Sequence, residues 1–357
     1  MVRRESETIA SQPLRRECIL LIDQVKQTRE KEILRKANVN SVGIGYKKVD
    51  GETTPQLCIV VGVNKKLPQN QMLMRDFIPQ SLDGVVLDVV ETGDIKALGI
   101  LPPVTLSAAQ INPTQKHRPI FPGISVGHPN ITAGTIGAVA YHDGQPVVLS
   151  NNHVLSDQNR AEIGDISTQP GNYDSGSSAD TIGYLLDFIP IKFGSDPVDG
   201  NCTVTQSIAK TFNFVASLLG RKHRLSVISA QPAYNEVDAA ISSITVDFDK
   251  QIAEIGEPID VVEATLGMDV QKFGRTTSYT IGTVEQINAT VSVGYDDGFA
   301  VFTNQIMLSA MSAGGDSGSA IISMDKKLVG LLFAGSDQIT IASPMSRVFS
   351  LLGLSLA

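Results

Sequence analysis

Ser317 lies between glycines, just after an aspartate, in the stretch "MSAGGDSGSA" (311–320). Such a serine can attack a carbonyl only in company. Its hydroxyl is a weak nucleophile at neutral pH. It needs a neutral imidazole to take its proton and a carboxylate to orient that imidazole. Read alone, the same decapeptide is an ordinary turn, because Gly, Ser and Asp are common loop residues. The rest of the sequence must supply the partners.

The chain holds five histidines. His117 and His128 fall in or near a proline-rich stretch, His142 at a hairpin tip in "YHDGQ", and His223 in the basic run "RKHR". Each of these reads as a surface residue. His153 differs, because "VVLSNNHVLSD" places it directly after an apolar strand, at the start of a polar turn. It is the candidate base, with a strand-capping histidine as the plain alternative. For the carboxylate, Asp238 in "NEVDAAISSI" sits among apolar residues at a strand start. Burying a carboxylate is costly unless it is hydrogen-bonded, and an imidazole N–H would satisfy it. Asp165 in "EIGDIS" competes but reads as a turn aspartate, while Asp174, Asp180, Asp196 and Asp199 lie in loops. The glycines beside the serine then gain a purpose. Acyl transfer creates an oxyanion that must meet donors already in place. The backbone N–H groups of Gly315 and Ser317 can converge if Gly315 takes a backbone conformation closed to other residues.

These side chains need elements to hold them. Residues 15–36 carry Cys18, Leu21, Ile22, Val25, Ile33 and Leu34 at amphipathic-helix spacing. Two strands around an Asp50-Gly51 turn follow, then a third at "DGVVLDVVE", so residues 1–97 read as a small α+β domain. Residues 98–123 hold several prolines and little periodicity and read as a linker. Residues 124–357 form the third segment. Short β-type runs separated by glycine turns recur there, which argues for an all-β barrel or sandwich. Helices are expected at 203–220 and at "MSRVFSLLG".

Composition bounds the partners. A net charge of -8 argues against nucleic acid or an anionic membrane surface as partner. Three widely spaced cysteines form no disulfide framework and match no zinc spacing, so a reducing, cytoplasmic setting fits. No apolar run approaches the roughly 20 residues that span a bilayer.

Taken in order, His153 in "LSNNHVL", Asp238 in "NEVDAAI" and Ser317 in "GGDSGSA" resemble the His–Asp–Ser triad of trypsin/chymotrypsin-like serine peptidases. The resemblance covers roughly residues 125–357. It is nearest to intracellular bacterial trypsin-like peptidases and to the protease region of plant narrow-leaf-type proteins. It implies a mainly β fold of two six-stranded β-barrels, here preceded by the α+β domain. It implies a serine endopeptidase with a protein or peptide substrate, no cofactor and no metal, and it leaves room for a homo-oligomeric assembly. A non-catalytic binding protein on the same scaffold, or an esterase or amidase of small substrates, are the competing readings. The family's pattern puts Met311, six positions before Ser317, at the base of the specificity pocket, with Phe333, Ala334 and Gly335 on the opposite wall. Such a pocket implies cleavage after small or medium apolar residues. Three departures stand out. The His153-to-Asp238 interval is long, the bracing cysteines of secreted relatives are absent, and no residue after the linker resembles a newly made N-terminus. Asp316 therefore lacks a visible charge partner, and no obligatory activating cut at the linker is expected.

Overall fold

A computed structural model describes residues 11–98, 111–194 and 234–357. The helix expected at 203–220 lies outside the described residues, as do most of the first half of the proline-rich stretch and His223. The fold is mainly β, with a small α+β region at its N-terminal end.

That region begins with α1 (Ser11–Leu34), which packs on β1 (Val39–Val49). Ile22, Ile33 and Leu34 join Val42, Ile44, Ile59 and Val61 in one apolar cluster. Leu21 and Cys18, expected on this face, point outward instead. Lys26 takes a place on the inward face, where Glu30 and Thr290 satisfy its ammonium. β1 turns back into β2 (Glu52–Val63) through Asp50 and Gly51, both at positive φ as a two-residue hairpin turn requires. β3 (Val85–Glu91) adds to β2 in parallel. The short β4 (Lys96–Ala97) then leaves this sheet for the rest of the molecule.

One further sheet has six strands. They are β5 (Ala138–His142), β6 (Gln145–Ser150), β7 (Ile166–Thr168), β8 (Thr181–Phe188), β9 (Ala240–Ser243) and a terminal strand, Leu354–Ser355. Their spatial order is β7-β8-β9-β6-β5 and then the terminal strand. The larger sheet contains β10 (Asp269–Gly274), β11 (Ser278–Tyr295), β12 (Gly298–Ser309), β13 (Ala320–Ser323), β14 (Lys327–Gly335) and β15 (Ile339–Pro344). Pairings run β11-β12-β15-β14-β13-β10 and return to β11. Apolar residues from both sheets, among them Leu149, Ile241, Phe273 and Leu331, meet in one cluster. α3 (Met345–Leu352) closes it with Met345, Val348, Phe349 and Leu352, as its four inward apolar positions require.

The α+β region is not a separate sheet. β11 has 18 residues, and its central stretch pairs with β12 on one edge and β1 on the other. Glycine permits the close approach, because a Cβ at Gly45 would stand 2.8 Å from the Glu285 carbonyl oxygen. The end of the proline-rich stretch is also tied to the core. Ile120 is fully buried and its N–H donates to Asp247 O at 2.9 Å.

Gly45→Val should force β1 off β11 and cost about 1–3 kcal/mol through overpacking. Urea unfolding checks this. The midpoint should fall at unchanged slope, and an unaltered midpoint would mean that the contact carries no stability.

Candidate active site

Strand register brings the first pair together. β9 runs antiparallel to β6, with Ala240 opposite Ser150. The residues just beyond that end of each strand must therefore meet. On one side is Asp238. On the other is α2 (Asn152–Leu155), a single turn that carries His153. Asn151 Nδ2 donates to the Asp238 carbonyl at 2.8 Å and fixes the crossing. His153 Nδ1 lies 2.6 Å from Asp238 Oδ2, and the His153 N–H donates to Asp238 Oδ1 at 3.3 Å. Asp238 is fully buried, flanked by buried Val237 and Ala239.

Tyr295, at the end of β11, donates its hydroxyl to Asp238 Oδ2 at 2.8 Å. Burial, with the Asp238 charge beside it, holds this phenol well above the ordinary tyrosine range. Tyr295 therefore stays a donor, and the carboxylate keeps a second partner whatever the state of the imidazole. The imidazole Nε2 is buried and has no hydrogen-bond partner among the described residues.

Ser317 comes from the other sheet, in the turn between β12 and β13. Gly315 and Gly318 both have φ near +92°, a region that L side chains rarely adopt. Space forbids a side chain there too, because a Cβ at Gly318 would stand 2.1 Å from Ser150 Oγ. Thr135, paired with Ser125 in a short two-stranded ladder, holds this turn. Its N–H donates to Ser317 O at 2.7 Å and its hydroxyl to Gly315 O at 2.9 Å. No hydrogen bond joins Ser317 to His153. Ser317 Oγ instead lies 3.4 Å from both the Leu98 and the Phe333 carbonyl oxygens. The Gly315 N–H donates to the same Leu98 oxygen at 3.2 Å.

Asp316 has a partner that sequence reading missed. Its fully buried carboxylate faces the equally buried ammonium of Lys272, on β10, at 3.4 Å. Oδ1 accepts from the N–H groups of Thr276 at 2.8 Å and Thr277 at 3.1 Å. Oδ2 accepts from Thr277 Oγ1 at 2.6 Å and the Ala313 N–H at 3.0 Å. Burial pulls the Lys272 ammonium below the ordinary lysine range, and Asp316 pushes it back up. The signal lay in "DVQKFG", where a lysine interrupts a strand of buried residues. Beside this pair, Arg275 grips Asp174 with two guanidinium nitrogens, Nε at 2.9 Å from Oδ2.

The remaining candidates fall elsewhere. Asp165 pairs with His128, Oδ2 to Nε2 at 3.2 Å, while the carboxylate paired with His153 is that of Asp238. His128 is buried rather than at the surface, because its ring also accepts from the Asn130 N–H. His142 bonds the Leu352 carbonyl, and Asp180 pairs with Lys116. Met311 is buried in one cluster with Leu98, Val284 and Leu332. Phe333 packs on Phe302 with ring centroids 4.7 Å apart, in a second cluster that holds Ala334. The Phe333 group turned toward Leu98 and Ser317 is thus its carbonyl. Gly335 lines a cleft of about 980 Å³ together with His153, Ala97, Leu98 and Ser312. No group of three metal-ligating side chains occurs among the described residues, and no described helix is long and apolar enough to cross a membrane.

No family model matches the chain, and no curated protein matches it. Among solved structures the chain is similar to Thermobifida fusca protease A, at 18% identity over 67% of this chain and 98% of that one, with a TM-score of 0.43. It is similar to a Nocardiopsis protease at 16% identity, 66% and 98% coverage, and a TM-score of 0.42. It is similar to Cellulomonas bogoriensis chymotrypsin at 14% identity, 67% and 98% coverage, and a TM-score of 0.40. The chemistry open to this chain rests on its own side chains.

Two outcomes are expected. Lys272→Met leaves the Asp316 carboxylate buried without a counter-charge and should cost about 3–5 kcal/mol. Adding Asp316→Asn should return part of that loss. Chemical denaturation of the two variants checks it, and equal stability of Lys272→Met and the unchanged chain would dismiss the ion pair. For Tyr295 the folded phenol ionises at higher pH than the unfolded one. Its contribution is therefore whole below the unfolded value of about 10 and is lost as pH climbs past it. Unfolding measured from pH 8 to 11 should show a smaller alkaline loss of stability in Tyr295→Phe.

Proposed function

We propose that this chain is a serine endopeptidase, with His153, Asp238 and Ser317 as its catalytic residues. One observation carries the reading. A single carbonyl oxygen, that of Leu98, is met by both the Gly315 N–H and the Ser317 hydroxyl. The imidazole nearby is held at Nδ1 by Asp238 and left free at Nε2. Ser317 Oγ attacks the carbonyl carbon of a peptide. His153 Nε2 takes the hydroxyl proton and then delivers it to the leaving amine. Asp238 keeps the imidazole in the tautomer with a proton on Nδ1 and stabilises the imidazolium. The N–H groups of Gly315 and Ser317 hold the oxyanion. Water then cleaves the ester by the same path in reverse.

The Ser317 hydroxyl is turned to the Leu98 and Phe333 carbonyl oxygens, so it must rotate about its Cα–Cβ bond before His153 Nε2 can take its proton. Met311 supports an apolar specificity pocket. A basic side chain there would lose hydration without gaining a counter-charge, whereas an aliphatic one would gain roughly 1–3 kcal/mol. The substrate is then a protein or peptide cut after a small or medium apolar residue. A reducing compartment, and kinship with the intracellular bacterial and plant peptidases, belong to the same proposal.

A fluorophosphonate probe and an apolar peptide substrate test it. Ser317→Ala and His153→Ala should each remove nearly all labelling and turnover. The double variant should be little worse, because residues that act as a unit are not additive. A His153→Ala chain that keeps most of its rate would sink the assignment.

A further inference from the structure

The cleft beside Ser317 already holds a peptide, and that peptide is the chain's own. β4 runs antiparallel to β14, with Ala97 opposite Ala334 and Lys96 opposite Gly335. On its other edge Lys96 pairs in parallel with Gly294, whose N–H donates to Ile95 O at 3.1 Å. Leu98 follows the strand directly, and its N–H donates to Phe333 O at 3.3 Å. Its carbonyl oxygen accepts from the Gly315 N–H at 3.2 Å and lies 3.4 Å from Ser317 Oγ. The Leu98 side chain is buried in the cluster that contains Met311. An extended backbone paired to the sheet edge, an apolar side chain with Met311 and a carbonyl met by the Gly315 N–H beside the serine hydroxyl are what an acylating enzyme asks of a substrate.

We propose that residues 95–98 are an internal substrate and that Ser317 cuts its own chain between Leu98 and Gly99. The proposal rests on the serine-peptidase reading above. Ser317 Oγ bonds to the Leu98 carbonyl carbon while its proton passes to His153 Nε2. The bond from that carbon to the Gly99 nitrogen breaks, and the nitrogen takes the proton from His153. Water attacks the resulting Leu98 ester, gives one proton to His153, and frees the Leu98 carboxylate as Ser317 regains its hydrogen. The products are residues 1–98 and 99–357. This cut is unlike activation through a new N-terminus, because Lys272 already neutralises Asp316 in the uncut chain. The N-terminal product stays attached through the β1–β11 pairing, with its new carboxylate at the Gly315 N–H.

The purified full chain and its Ser317→Ala variant are incubated over a hundredfold range of dilution. Intact mass and N-terminal sequencing follow the products. The unchanged chain should yield a fragment that begins at Gly99, at a rate independent of concentration. Ser317→Ala should stay whole. Leu98→Asp should slow the cut by at least about tenfold, because a charge replaces the apolar side chain. Fluorophosphonate labelling of the unchanged chain and of Leu98→Asp runs in parallel. If either is labelled at Ser317 and the unchanged chain stays whole, the internal substrate is wrong and the peptidase reading survives. A cut elsewhere, or a rate that falls on dilution, also overturns it. Neither labelling nor cutting in any chain overturns the peptidase reading itself.

Discussion

The buried carboxylate of Asp316 fixes the turn on which the proposed chemistry depends. A carboxylate in an apolar interior is tolerable only when its charge and its lone pairs are met. Four donors and the Lys272 ammonium meet this one, from β10, from the Thr276–Thr277 turn and from Ala313. They leave residues 313–317 one place to lie. The carboxylate points inward, the Ser317 hydroxyl lies against the Leu98 and Phe333 carbonyl oxygens, and Gly315 takes its positive φ to close the turn. The backbone N–H that results faces the cleft. The charge partner is a side chain of the same sheet, so the turn forms as the fold forms.

The second constraint is that the site is split between two sheets. His153 and Asp238 are set by the β6–β9 register, Gly315 and Ser317 by the turn before β13. Their mutual placement depends on how the sheets meet. Thr135 binds the Gly315 and Ser317 carbonyls of the glycine turn, and Ser150 Oγ in turn donates to Thr135 O at 2.8 Å. Gly137 and Gly318 pass so closely that neither could carry a Cβ. The joint is thus backbone against backbone, tied by hydroxyls, with little slack in the distance between His153 and Ser317.

The sequence made some of this legible for a physical reason. A polar residue amid apolar ones announces itself, as His153 and Asp238 do, and a glycine cluster marks a special backbone. Strands such as "KLVGLLFAG" and the helix "MSRVFSLLG" follow from hydrophobic period and a closing glycine. Contacts remote in sequence carry no such mark. Lys272 shows only that a lysine sits in a strand, and Tyr295 only that a tyrosine ends one. Their partners lie 44 and 57 residues away and are defined by the sheet. The pairing of β1 with β11 was equally hidden, because either strand could satisfy its edge in many ways. His128 misled for the same reason. A loop histidine looks exposed until the fold brings Asp165 to it.

That hidden pairing gives the N-terminal region its bearing on the cleft. β1 to β3 extend the large sheet, and β4 leaves them only a few residues before Leu98. The strand in the cleft is therefore tethered, and filling the cleft is an intramolecular event. Short tethers give effective concentrations on the order of millimolar. Subsite contacts too weak to hold a free peptide suffice for this one. A free peptide would have to bind well enough to displace it or find it already withdrawn. Severing the chain after Leu98 would not by itself lift this competition, since the β1–β11 ladder keeps the strand in place. Access to Ser317 would then be set by whatever loosens β4 from β14 and Gly294. The contacts to be broken are few: the Leu98 and Ile95 hydrogen bonds, the two-residue ladder and the Leu98 side chain. A ligand that binds the freed edge of β14 supplies replacements for most of them. The exchange is accordingly close to balanced, and modest differences in subsite fit decide which peptide occupies the cleft.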